Sequence, residues 1–248
     1  MRAECAAAAH RYRFPMPRRP LAGRTGLHRG RGAGSSLEFL EHRDYVPGDD
    51  LRRVDWRAFA RTDELNVRLF REEVAPRIDL LGDESQSIRV TPLKRQAYHD
   101  IMDAISHWSS RDAGGVRNLE SLGRIPPTPR ALRVWVSDFL FEEDPAPLIR
   151  RFASGAAGIC LVQLLDPWEI DPAREGHLTL VDCEGDGRLD LELDAAAIAR
   201  YRERLARLRA AVERAARSAG GSYALVEAAA PETMFRRSLL PQGIVEPR

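Results

Sequence analysis

The sequence predicts an α/β protein built on a mostly parallel sheet that is covered on both faces. Three observations carry that prediction. From Pro76 onward, short apolar runs alternate with stretches of helical period, the grammar of strand–helix–strand units. Such units bury both faces of their sheet, and runs such as Ala131–Val136 read as buried strands. Three of the runs end in aspartate, at Asp83, Asp138 and Asp166. In open α/β sheets ligands bind at the carboxyl ends of strands near a topological switch point, so acids placed there converge in space though far apart in sequence.

In chain order, residues 1–20 show no hydrophobic period and hold Pro15, Pro17 and Pro20, which predicts a disordered basic tail. Residues 21–75 alternate short apolar and polar runs with Gly and Pro, a β-rich extension. Within it Pro47-Gly48-Asp49 predicts a turn, because Pro presets φ and Gly supplies a positive φ. Val67–Arg71 alternates like an edge or half-buried strand. Residues 76–248 form the α/β domain. Ile78–Leu81 is its first strand, and Pro92–Trp108 is a helix whose stripe is Leu93, Ala97, Ile101, Ala104, Ile105 and Trp108. Ala131–Val136 is a strand, Pro147–Phe152 a short helix and Ile159–Leu165 another strand. Thr179–Asp182 and Arg188–Leu193 flank a Gly-containing turn and predict a β-hairpin. Asp194 caps a long helix that stops at Gly220-Gly221, and Tyr223–Glu227 is the last strand.

The 248 residues carry a net charge of +1, so the chain as a whole has no bias toward nucleic acid. Residues 1–34 nonetheless hold eight arginines against one acid, Glu4; they read as a basic tail or as an upstream start with Met16 the beginning. Lys94 is the only lysine. The three cysteines, Cys5, Cys160 and Cys183, have no zinc spacing and cannot all pair, which points to a reduced, cytoplasmic setting. No apolar run approaches the roughly 18 residues of a membrane span.

Asp83, Ser85 and Ser87 alternate along a loop that precedes a helix. That spacing can turn one carboxylate and two hydroxyls toward a common point. A hard cation such as Mg²⁺ takes such oxygen ligands and keeps several waters, leaving a position for a partner's acid. An N-capping loop explains the same residue types, and both readings stand at this point.

Two strings make the resemblance to a known family. One is Arg43-Asp44-Tyr45-Val46-Pro47-Gly48-Asp49-Asp50 followed by Arg53-Val54-Asp55-Trp56 and Ala60-Arg61; the other is Asp83-Glu84-Ser85-Gln86-Ser87. Their order resembles the bacterial family known as domain of unknown function 58, whose fold is of the von Willebrand factor A type, a Rossmann-like parallel sheet. Leu165-Asp166-Pro167-Trp168-Glu169, Tyr201 and Leu239-Leu240 through Gly243-Ile244 resemble the later part of the family pattern. The resemblance implies a metal-ion-dependent adhesion site with Asp83, Ser85, Ser87 and Asp138 as ligands and Mg²⁺ as the ion. It implies a protein-binding module without turnover of its own, and a MoxR-type AAA ATPase as partner. Only residues 109–132 separate Trp108 from the next strand, where the family has a strand pair, a helix and a loop with a metal-ligating Thr. The domain is therefore shortened, and Thr128 is the one threonine in the gap to stand for that ligand.

Other constellations are weaker. The six histidines show no metal spacing, and neither a phosphate-binding Gly-x-x-x-x-Gly-Lys loop nor a Gly-x-Ser-x-Gly elbow occurs. The charged signature from Arg43 to Arg57 reads first as internal ion pairing, with Trp56 partly buried beside it. Two other functions remain as alternatives: nucleic-acid binding through the Arg-rich start, and Mg²⁺-dependent phosphoryl transfer by the strand-end acids.

Overall fold

A computed structural model describes residues 10–15, 39–70, 78–108, 128–140, 144–172, 176–183 and 187–247, with Ala7 and Gly185. The strands in chain order are β1 (Tyr12–Arg13), β2 (Phe39–Asp44), β3 (Asn66–Phe70), β4 (Ile78–Gly82), β5 (Leu132–Ser137), β6 (Gly158–Leu165), β7 (Gly176–Val181), β8 (Arg188–Leu193), β9 (Ser222–Glu227) and β10 (Glu246–Pro247). The α-helices are α1 (Trp56–Thr62), α2 (Pro92–Trp108), α3 (Ala146–Ala153), α4 (Pro167–Ile170), α5 (Ala195–Ser218) and α6 (Pro231–Met234). The chain divides into two compact units, one of residues 1–22 with 76–248 and one of residues 23–75.

The larger unit is α/β. Its sheet has the order β4-β5-β6-β9, and every pairing in it is parallel. Residue parity divides the strands between two apolar layers. Ile78, Leu80, Val134, Val136, Val162, Leu164, Ala224 and Val226 face α2, through Ala97, Ile101, Ala104 and Ile105, and the C-terminal segment, through Met234, Phe235 and Ile244. Leu81, Trp135, Ile159 and Leu161 face α3, through Ile149 and Phe152, and α5, through Val212, Ala215 and Ala216. A sheet buried on both faces needs near-continuous apolar strands, and β5 and β6 are interrupted internally only by the buried Arg133 and Gln163. The outcome is a shortened Rossmann-like sheet, consistent with the von Willebrand A type.

The strand order runs in one direction without reversal, and the helices that follow the neighbouring strands β4 and β5 lie on opposite faces, α2 on one and α3 on the other. Two expectations are corrected. Residues 1–20 are not wholly a disordered tail, because β1 pairs with β10 and buries Tyr12 and Phe14 in the core. Tyr12 stacks on Phe235 with ring centroids 5.6 Å apart, and Phe14 meets Trp108 edge-on at 4.9 Å. The alternation Arg11-Tyr12-Arg13-Phe14 is a short strand signature, hidden among arginines and prolines. Thr128, offered as a metal ligand, lies before the start of β5 with its backbone N–H on Asp79 Oδ2 at 2.7 Å. It is thus at the amino end of the sheet, opposite Asp83 and Asp138. A six-residue parallel strand spans roughly 20 Å, too far for one ion. The rest of the expected gap, residues 109–127, lies outside the described residues.

In the smaller unit β2 and β3 form an antiparallel pair. Gly48 takes φ 106° in the predicted turn, a value that favours glycine. Asp49 closes that turn: Oδ2 accepts the Val46 N–H at 2.9 Å, and the two oxygens receive Arg43 at 2.7 and 2.8 Å. Asp50 caps a 3₁₀ turn, Leu51–Arg53. Asp55 caps α1 by accepting the Arg57 and Ala58 N–H groups at 3.1 and 3.0 Å, while its other oxygen meets His42 Nε2 at 3.0 Å. Arg43, Asp49, Asp50 and Asp55 thus act within their own unit, as pairing and caps. Trp56 departs from expectation: it is 54% exposed and meets only the edge of Phe59 among the rings described.

Candidate functional site

The carboxyl ends of β4, β5 and β6 repeat one local device. Each strand stops at an aspartate whose Oδ1 accepts the backbone N–H two residues on. Asp83 receives Ser85 at 2.8 Å, Asp138 receives Leu140 at 3.2 Å and Asp166 receives Trp168 at 3.0 Å. This side-chain turn redirects the chain where the ladder ends and satisfies amides that would otherwise lack partners. The second oxygen of each aspartate takes a side-chain donor from a neighbouring element. Ser137 donates to Asp83 Oδ2 at 2.5 Å, Lys94 to Asp138 Oδ2 at 3.0 Å and Thr91 to Asp166 Oδ2 at 2.5 Å. All three aspartates are buried.

Lys94 lies at the centre of this network. It sits in the first turn of α2, is 0% exposed, and donates to Glu169 Oε1 at 2.8 Å as well as to Asp138. Thr91 starts that helix: its hydroxyl accepts the Lys94 N–H at 3.1 Å while donating to Asp166. Glu169 closes a capping box on α4, with Oε2 accepting the Asp166 N–H at 2.7 Å. Burial pushes the Glu169 carboxyl above its usual range, and Lys94 and the Asp166 N–H oppose that rise. Tyr201, reaching in from α5, donates to the Glu169 carbonyl at 2.5 Å, and burial followed by Glu169 pushes its hydroxyl up to about 12. Gln163 donates to the Asp138 carbonyl at 2.6 Å and accepts the Tyr223 hydroxyl at 2.6 Å, linking β5 to β9.

Gly82 fits the same design. A Cβ there would run into the Tyr98 hydroxyl and come within 2.7 Å of Met102 Cε. The helix can approach the strand end because that side chain is missing. Burial, then the charges of Asp83 and Glu84, push the Tyr98 hydroxyl up.

Against this geometry the comparison with known families is narrow and specific. Residues 41–116 match the family described as Protein of unknown function DUF58. The DUF58 match takes in both strings that carried the resemblance, from Arg43–Trp56 to Asp83–Ser87. It ends before β5, so Asp138, Asp166 and Glu169 lie beyond it. No curated protein and no solved structure matches the chain.

Of the residues read from the sequence, Asp83, Ser85, Ser87 and Asp138 all stand at the carboxyl end of the sheet, and Thr128 does not. A divalent ion does not fit them as they stand. Both oxygens of Asp83 and both of Asp138 already accept protein donors. Ser85 and Ser87 hydrogen-bond to each other at 2.8 Å, leaving two half-buried neutral hydroxyls. Among the described residues no group of three or more His, Cys, Asp or Glu is placed to hold a metal ion. Sequence reasoning missed Lys94, Thr91, Ser137 and Glu169. The signal for Lys94 was its being the only lysine among 38 basic residues, placed one turn into the helix after the aspartate loop.

Proposed function

We propose that the chain is a non-enzymatic protein-interaction module that offers the carboxyl end of its parallel sheet to a MoxR-type AAA ATPase, in chaperone-like assembly or remodelling. The observation that carries this reading is a set of large apolar side chains left in water there. Val90, Leu93, Leu140 and Trp168 are exposed, and each lies within two residues of a member of the buried network. Large apolar side chains exposed beside a buried polar network are candidate interface anchors, and Trp is among the residues that anchor interfaces most strongly. The acids that a phosphoryl-transfer enzyme would use are turned inward onto Lys94, Thr91 and Ser137, which favours binding over chemistry. The DUF58 match supports the choice of partner through the family resemblance alone.

The test is retention of the host's MoxR-type ATPase on the immobilised chain. Wild-type protein is expected to retain it, and Trp168→Ala to weaken the complex by about 2 kcal/mol, the size of an interface anchor. Failure of the wild type to retain any ATPase, or nucleotide hydrolysis by the purified chain alone, would overturn the reading.

A further inference from the structure

We propose that the Lys94 ammonium is the resident cation of the carboxyl-end site, holding Asp138, one of the ligands that the family resemblance gives to a divalent ion, so that the site assembles without metal. This inference concerns the chain alone and does not depend on the identity of any partner.

Four observations lead to it. First, Lys94 is wholly enclosed and bridges two carboxylates from different strand ends, Asp138 after β5 and Glu169 after β6. That is the task of a bridging cation. Second, its contacts of 3.0 and 2.8 Å set the carboxylates at hydrogen-bond spacing, wider than the roughly 2.0–2.1 Å that Mg²⁺ requires. Third, the chain uses arginine at every other basic position and lysine only here. An ammonium is a compact point charge with three donors, whereas a guanidinium is a planar fork, and only the former can take the place of a small ion among converging oxygens. Fourth, the helix that carries Lys94 is tied to the same site at its start, through Thr91 and Asp166. The ammonium is therefore delivered by a fixed element and is not a side chain that wandered in.

A metal entering beside Asp83 would have to take Asp138 from Lys94, leaving the buried ammonium with Glu169 alone. Breaking a buried pair in that way is strongly unfavourable. The two serines add only neutral oxygens and cannot offset it.

The experiment is a titration of the purified full chain with Mn²⁺, read by calorimetry and by paramagnetic resonance of the free ion, beside the Lys94→Met variant. Wild type is expected to bind no Mn²⁺ in the millimolar range, and its melting temperature to ignore both Mn²⁺ and EDTA. Lys94→Met should melt lower and gain Mn²⁺ affinity by at least an order of magnitude, because it frees two carboxylates at a site shaped for a cation. A merely structural ion pair would give the first effect without the second. Should Lys94→Met fail to fold, refolding in the presence of Mn²⁺ is the same test, and recovery is the expected result. One-to-one Mn²⁺ binding by wild type that is lost in Asp83→Ala would overturn the proposal. So would a Lys94→Met protein that stays as stable as wild type or gains no affinity for Mn²⁺.

Discussion

At the scale of single residues, the site is governed by the cost of burying charge. Lys94 and Asp138 are both nearly inaccessible, and their burial is tolerable because they pair, with Glu169 as the second partner of Lys94 and the Leu140 N–H as that of Asp138. Replacing Lys94 with Met should lower the free energy of unfolding by about 3–5 kcal/mol, the cost of an uncompensated buried charge. Urea melts measure it, and Asp138→Asn in the same background should cost far less than in wild type if the two groups act as a pair. Glu169 differs in kind, because burial holds its carboxyl above the usual range. The folded state then binds the Glu169 proton more tightly than the unfolded chain does. The stability from this group is fully present below the unfolded value, about 4.3, and is lost as pH rises through the folded value. Glu169→Gln should therefore flatten the decline in stability above about pH 4.3, seen in urea melts at a series of pH values. A decline of unchanged slope would mean that another group sets it.

At the scale of elements, β1 is the sharpest departure from what the sequence suggested. Its two residues pair with β10, Arg13 Nε donates to Glu246 Oε1 at 2.9 Å, and Phe14 packs just beyond it against Trp108. Phe14→Ala should cost about 3–5 kcal/mol in urea melts, as for large-to-small changes in a core, whereas a true tail would show no change. The strands β4, β5, β6 and β9 and the helices α2 and α5 were legible because each presents a long run of one period, and period is a local property. The strand β1 was not, since two residues between arginines and prolines give no run to count. Helices α1 and α4 are seven and four residues long, too short for a stripe, and are fixed by their caps, Asp55 and Asp166. The candidate site was half legible for the same reason. Asp83, Ser85, Ser87 and Asp138 end or follow runs that can be counted. Lys94 and Glu169 meet across 75 positions of sequence, and nothing local records that they touch.

At the scale of the whole molecule, two candidate binding surfaces belong to separate compact units, and they predict opposite responses to solution conditions. The carboxyl end of the sheet offers Val90, Leu93, Leu140 and Trp168, and its acids are compensated inside. The smaller unit offers the charged signature, but Arg43 is bound to Asp49, and Asp50 and Asp55 are caps, so much of its charge is already used within the unit. A complex formed through the apolar rim should survive rising sodium chloride, because screening acts on exposed charges, and sulfate should if anything strengthen it. EDTA should leave it unchanged if Lys94 is the resident cation. A complex formed through the Arg43–Arg57 segment should instead weaken steadily with salt while ignoring EDTA, and a metal-bridged one should fail in EDTA alone. Retention of the ATPase by wild type, Trp168→Ala and Arg57→Ala in buffers of graded sodium chloride, with and without EDTA, separates the three. The expected pattern is loss with Trp168→Ala only, at every salt concentration. Loss confined to Arg57→Ala would move the interface to the smaller unit while leaving the metal-free reading of the sheet's carboxyl end intact.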